Sequence, residues 1–162
     1  MRILGIDPGF GRCGWAILEI AGSKAEAIDY GCIETGLKLA PEKRLERVYA
    51  EISRIIKKYK PEVLAIEELF FGTNTKTALA VGQARGVVLL AASQYSLETS
   101  VYNPLQVKIA LTGYGKAEKA QVGQMVKILL KLKEMPKLDD TTDALAVALT
   151  HASSSKINKL SR

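Results

Sequence analysis

The stretch ILGIDPGFGRCGWA, Ile3 to Ala16, decides how the chain is read, because it carries an apolar run into an acid and then straight into a turn. Ile3 to Asp7 has the composition of a short buried strand, and Pro8 with glycines at 9, 11 and 14 breaks it at once. A buried strand excludes an ionised carboxylate unless something compensates the charge. Asp7 therefore either closes an Asx turn onto the Pro8–Gly9 backbone or faces a cation or a phosphate at a sheet edge. The second reading needs further acids elsewhere in the chain.

The bulk properties narrow what those acids could do. A chain of 162 residues fits one domain with a core large enough to fold unaided, here taken as residues 1–153, with a polar, basic and non-periodic tail at 154–162 expected to be disordered. No run of about 18 apolar residues is present and the first residues lack a signal-peptide pattern, so a cytoplasmic protein with no membrane contact is expected. Cys13, Cys32 and the single histidine, His151, match no zinc or disulfide spacing, which leaves oxygen ligands for any metal. A formal charge of +6 suits an anionic partner such as nucleic acid.

Working outward, Gly14 to Ile20 and Ala25 to Thr35 read as two strands of a hairpin around AGSK. In Pro41 to Lys60 the apolar residues Leu45, Val48, Tyr49, Ile52, Ile55, Ile56 and Tyr59 recur at helical steps, and Pro61 ends the pattern. VLAIE, Val63 to Glu67, is a second strand buried on both faces that finishes on an acid. Residues 75–94 predict a helix apolar around most of its circumference, with Gly82, Ala84, Gly86, Ala91 and Ala92 small enough to admit a second subunit. LETSVYN gives a fifth strand, EKAQVGQMVKILLKLK an amphipathic helix, and DTTDALAVALTHAS a last helix. The expected fold class is α/β, a five-stranded mixed sheet flanked by helices.

Three places then carry acids where burial is expected: Asp7, Glu67, and Asp139, Asp140 and Asp143 at the last helix start. Binding sites in open α/β sheets form beyond the carboxyl ends of strands, so parallel neighbouring strands would bring Asp7 and Glu67 together. Asp140 and Asp143, or Asp139 and Asp143, share a helix face. Acids at a helix start also cap amides and complement the helix dipole, but clustered like charges repel unless a divalent ion joins them. An all-oxygen set selects Mg²⁺ or Mn²⁺, and paired ions of that kind promote phosphodiester cleavage.

Four blocks, GIDPGFGRCGWA, AIEELFFGTNTKTALAVGQARG, VKIALTGYGKAEKAQVGQMVKILL and DDTTDALAVALTH, resemble in order the motifs of the RuvC family of Holliday junction resolvases. The resemblance implies a ribonuclease H-like fold, a homodimer, Mg²⁺-dependent cleavage of four-way junction DNA with two ions per site, and RuvA and RuvB as partners. It assigns metal binding and catalysis to Asp7, Glu67, Asp140 and Asp143, and DNA contacts to Lys108 and Lys119. Phe70 and Phe71 follow the glutamate where the family has an aromatic, and either core packing or base stacking suits them. Lys116 is a further candidate beside the glycines of TGYGKAEKAQ, where amides and ammonium groups can hold phosphate. Glu68 competes with Glu67 for the same role, Asp139 is a cap or an outer acid, and Arg85 reads as structural. The rival functions are an RNA-processing nuclease of the same fold (YqgF-like), an actin-type ATPase, for which the chain is too short, and a non-catalytic DNA-binding module.

Overall fold

The computed structural model describes residues 1–68 and 75–160, the side chains of 75–77 and 156–160 excepted. Its elements are β1 (Arg2–Asp7), β2 (Arg12–Ala21), β3 (Lys24–Glu34), α1 (Pro41–Tyr59), β4 (Val63–Glu67), α2 (Thr75–Gln94), β5 (Glu98–Tyr102), α3 (Pro104–Thr112), α4 (Lys119–Leu129) and α5 (Asp139–Leu160). The strands form one sheet in the order β3-β2-β1-β4-β5. β1, β2 and β3 pair antiparallel, whereas β4 runs parallel to β1 and β5 parallel to β4. This is the five-stranded mixed sheet expected from the sequence.

The hairpin between β2 and β3 turns at Gly22, whose φ of 59° lies in the left-handed region that glycine enters at no steric cost. Pro41 opens α1, where a missing N–H costs nothing, and Lys60 ends it in a left-handed cap whose amide bonds the Ile56 carbonyl. The stripe read from the sequence is the buried one: Val48, Ile52, Ile55 and Ile56 pack on the sheet.

Alternation along the central strands divides the core in two. Leu4, Ile6, Leu64 and Ile66 join the α1 and α2 residues on one face. Ile3 and Ala65 join α3, α4 and α5 on the other. α5 sits closest to the sheet at two glycines: a Cβ on Gly5 would overlap the Ala144 carbonyl, and one on Gly14 would overlap the Asp140 carbonyl. That close seat fixes where the acids of α5 fall.

Two elements differ from expectation. Residues 104–112 form α3, which the sequence reading left unassigned although its punctuation is complete. Asn103 and Gln106 make a reciprocal capping box, Pro104 stands in the first turn, and Gly113 closes the end at φ 72°. The helix is short and carries no long periodic stripe, which is why periodicity passed over it. The last helix, expected to give way to a disordered tail at residue 154, continues to Leu160. Residues 154–160 contain no glycine or proline to stop it.

Candidate active site

Asp7 and Glu67 end two neighbouring parallel strands. The pairing runs from Ile3 with Val63 to Ile6 with Ile66, so one further step sets Glu67 beside Asp7. By strand alternation Asp7 shares the face of Ile3 and Gly5, and Glu67 that of Ala65, the face that α5 covers. Alternation also separates the two adjacent glutamates: Glu67 lines a cavity with Asp143, while Glu68 is exposed. The turn after Asp7 needs Gly9, since a Cβ there would overlap the Arg12 carbonyl. Arg44 ties down the same turn from α1, stacking on the Phe10 ring at 4.0 Å and donating to the Phe10 carbonyl at 3.2 Å.

The charges converge. Burial first, and then the negative fields of Glu67, Asp143 and Asp140, push the Asp7 carboxyl up from 3.8 to about 8. Burial and Asp143 push Glu67 from 4.5 to about 7. Burial also raises Asp143, against the pull of Lys119. The Lys119 ammonium donates to Asp143 Oδ2 at 2.8 Å and stands 3.6 Å from Asp139 Oδ2. Burial works to lower the Lys119 pKa, but the hydrogen bond and charge of Asp143 carry it above its usual value. On the other side Arg12 Nε lies 3.1 Å from Asp140 Oδ2. That oxygen is buried and accepts no hydrogen bond, so the guanidinium meets it by charge without hydrogen-bond alignment.

A cavity of about 240 Å³ opens between Glu67, Asp143, Lys108 and Lys119 over Val107 and Val122. Of the expected DNA contacts, Lys108 and Lys119 are thus brought to the acids. Lys116 is exposed and outside this lining, and Phe70 and Phe71 lie outside the described residues. Asp139 is largely exposed, with its carboxylate turned to Lys119. Arg85 lies within α2, away from this cavity, with its Nε buried and unbonded. His151, buried in α5, is hydrogen-bonded to the Tyr102 hydroxyl at 2.9 Å and belongs to the packing beneath the site.

Arg12 is the site residue that sequence reasoning missed. Gly14 pairs with Asp7 across β1 and β2, and Arg12 follows on the same strand face two residues along. The sheet register and the seat of α5 on Gly14 together bring its charge to Asp140.

The donor set suits a hard divalent cation. All the candidate ligands are carboxylate oxygens, one of them is buried without a hydrogen bond, and two carboxyls are held near-neutral by burial and mutual repulsion that a cation would relieve. Among the described residues no three His, Cys, Asp or Glu side chains form a ready-made metal-binding group. Lys119 and Arg12 instead engage Asp143 and Asp140, so metal binding would draw these acids away from their present cations.

Known proteins resemble the chain over nearly its whole length. The family model described as crossover junction endodeoxyribonuclease RuvC matches residues 3–151. Proteins of that description from Fusobacterium nucleatum and Alkaliphilus metalliredigens are 53% and 52% identical, over 95% and 99% of this chain and 81% and 98% of theirs. The structure of Thermus thermophilus RuvC in complex with a Holliday junction substrate superimposes with a TM-score of 0.93 at 36% identity, covering 98% of this chain and 96% of that one. The yeast mitochondrial Holliday junction resolvase Ydc2 shares the ribonuclease H-like fold at a TM-score of 0.71 and 13% identity.

Proposed function

The chain belongs to the RuvC family of crossover junction endodeoxyribonucleases, and from that premise we propose that Asp7, Glu67, Asp140 and Asp143 hold two Mg²⁺ ions, or Mn²⁺ in their place, and cut four-way junction DNA. The protein is a metal-dependent endonuclease that resolves Holliday junctions. The observation that carries the site assignment is the convergence of four carboxyls from three distant places in the chain, with Asp7 raised to about 8 by burial and by the other three.

When bound, the metal would supply an activated water and charge compensation at the leaving oxygen. The chain's own groups have separate tasks. Lys119 donates to Asp143 Oδ2 and would bring an ammonium group to a phosphate bound at the acids. Lys108 contributes a second positive charge to the cavity lining. Arg12 restrains Asp140. The Val107 and Val122 walls limit water around the reacting phosphate.

The same proposal includes a homodimer, one nuclease domain spanning residues 1–153, cytoplasmic action, and collaboration with RuvA and RuvB. No described helix is long and apolar enough to cross a membrane. The test uses labelled four-way junction, linear duplex and structured RNA, each with Mg²⁺ or with chelator. Cutting of the junction alone, and only with the cation, is expected. Preferential cutting of RNA would move the protein to a YqgF-like role.

A further inference from the structure

Beside the cavity lies an apolar surface that packing does not explain. Leu105, Ile109 and Tyr114 are 55%, 50% and 58% exposed, although two helices and a buried core stand close by. In α3 the residues 105, 108, 109 and 112 share one face, since they stand three and four apart. Val107 and Leu111 on the opposite side enter the core. Lys108 therefore flanks the Leu105–Ile109 ridge, and it is this lysine that lines the cavity with Glu67 and Asp143.

Tyr114 is joined to the same surface by a fixed turn. Gly113 caps α3 in the left-handed region, and the Tyr114 amide donates to Thr112 Oγ1 at 3.1 Å. The Ala117 amide then bonds the Tyr114 carbonyl at 3.1 Å and leads into α4, where Lys119 reaches the acids. Gly115 lies against the α3 ridge, because a Cβ there would stand 2.6 Å from Leu105 Cδ1 and 3.5 Å from Ile109 Cγ1. An exposed aromatic and two exposed aliphatics thus adjoin the helix that brings Lys108 to the cavity, and the turn carrying Tyr114 runs past the exposed Lys116 to Lys119.

Such a surface suits one kind of occupant. A solvent-facing aromatic interleaved with lysines combines a stacking platform with phosphate neutralisation, and a strand whose phosphate lies among the acids must leave the cavity over one of its rims. We propose that Tyr114, supported by Leu105 and Ile109, is the platform on which an unpaired base adjoining the scissile phosphate stacks, while Lys108 and Lys119 hold the phosphates on either side. Tyr114 is thus a positioning residue for the substrate strand. The proposal rests on the reading of the acidic cluster as the cleavage site.

The test measures binding of the full-length protein to a four-way junction in chelator, by anisotropy across a salt series, for wild type, Tyr114→Ala, Tyr114→Phe and, as a second probe of the ridge, Ile109→Gln. Junctions carrying 2-aminopurine on either side of the mapped cut report stacking. Tyr114→Ala is expected to weaken binding about tenfold, the scale of one lost base–aromatic stack. Its salt slope should stay unchanged because no phosphate contact is lost. Tyr114→Phe should behave as wild type, Ile109→Gln should weaken binding less, and quenching of one 2-aminopurine should vanish only in Tyr114→Ala. Wild-type affinity and quenching in a folded Tyr114→Ala protein would overturn the platform, as would a loss confined to the salt slope. Wild type that neither binds nor cuts the junction would bring down the cleavage-site reading itself, which separates the two failures.

Discussion

Asp7 is a buried acid that costs the fold, and the proposed metal site needs it. Its carboxyl is raised to about 8 and that of Glu67 to about 7, chiefly by burial and then by neighbouring acids. A carboxyl whose folded pKa exceeds its ordinary value favours the folded state most below that ordinary value, near 4, and loses the contribution as pH rises through the folded value. Without divalent cation, the melting temperature should therefore fall between about pH 4 and pH 8, and Mg²⁺ should restore most of the loss at the upper end. Asp7→Asn should flatten that slope; a profile unchanged by the substitution would show that Asp7 is not the titrating group. Asp7→Asn should also abolish cleavage while leaving junction binding intact, because it removes a ligand without adding repulsion toward phosphate. Retained nicking would remove Asp7 from the metal site, and a folding loss together with lost binding would assign it to the turn. Lys119→Ala should lower the log–log salt slope of junction binding by about 0.9 on duplex arms, with an unchanged slope placing Lys119 outside the phosphate path.

At the scale of elements, the site depends on how closely α5 sits on β1 and β2. Gly5→Val or Gly14→Val would drive a side chain into the backbone of α5 at Ala144 or Asp140. Overpacking of this kind typically costs about 1–3 kcal/mol, read as a lower denaturation midpoint, and Gly14→Val should also lower cleavage because Asp140 moves with its carbonyl. Full activity in a stable Gly14→Val protein would refute this coupling. Much of the element layout was legible in the sequence: the hairpin, the α1 stripe and both acid-ended strands follow from period and punctuation. Glu67 and Glu68 looked equivalent because β4 is buried on both faces, yet comparison with Asp7 separates them, as the parallel register carries one strand's alternation onto its neighbour. The Arg12–Asp140 pair joins residues 128 positions apart through a helix crossing, and no local pattern encodes it. α3 escaped for a different reason. Its caps were readable, but nine residues hold too little periodicity to stand out.

At the scale of the whole molecule, α2 separates what one chain needs from what a second would cover. Ala84, Ala91 and Ala92, expected from the sequence among the small residues facing a partner, are instead buried beneath α2 in their own protomer. The outward stripe is Leu79, Gln83, Gly86 and Leu90, spaced three and four apart, with Leu79 and Leu90 68% and 53% exposed. A two-fold arrangement would set this stripe against its own copy, leucines flanking a glycine where two helices can approach. If the proposed homodimer pairs through this stripe, Leu90→Glu should give a monomer where wild type sediments as a dimer, and a dimeric Leu90→Glu protein would place the contact elsewhere. The symmetry has a chemical use, because a four-way junction has approximate two-fold symmetry, and two acidic clusters related by the same axis would meet two like strands. Each cluster draws all its acids from one chain, so inactivating one subunit should leave the other intact. A mixed dimer of wild-type and Asp7→Asn subunits should therefore nick one strand and leave the junction unresolved. Differently tagged subunits, purified as non-exchanging heterodimers and mapped on both strands of a closed junction, decide the matter: single nicks are expected, and full resolution by such heterodimers would show that one cluster serves both strands.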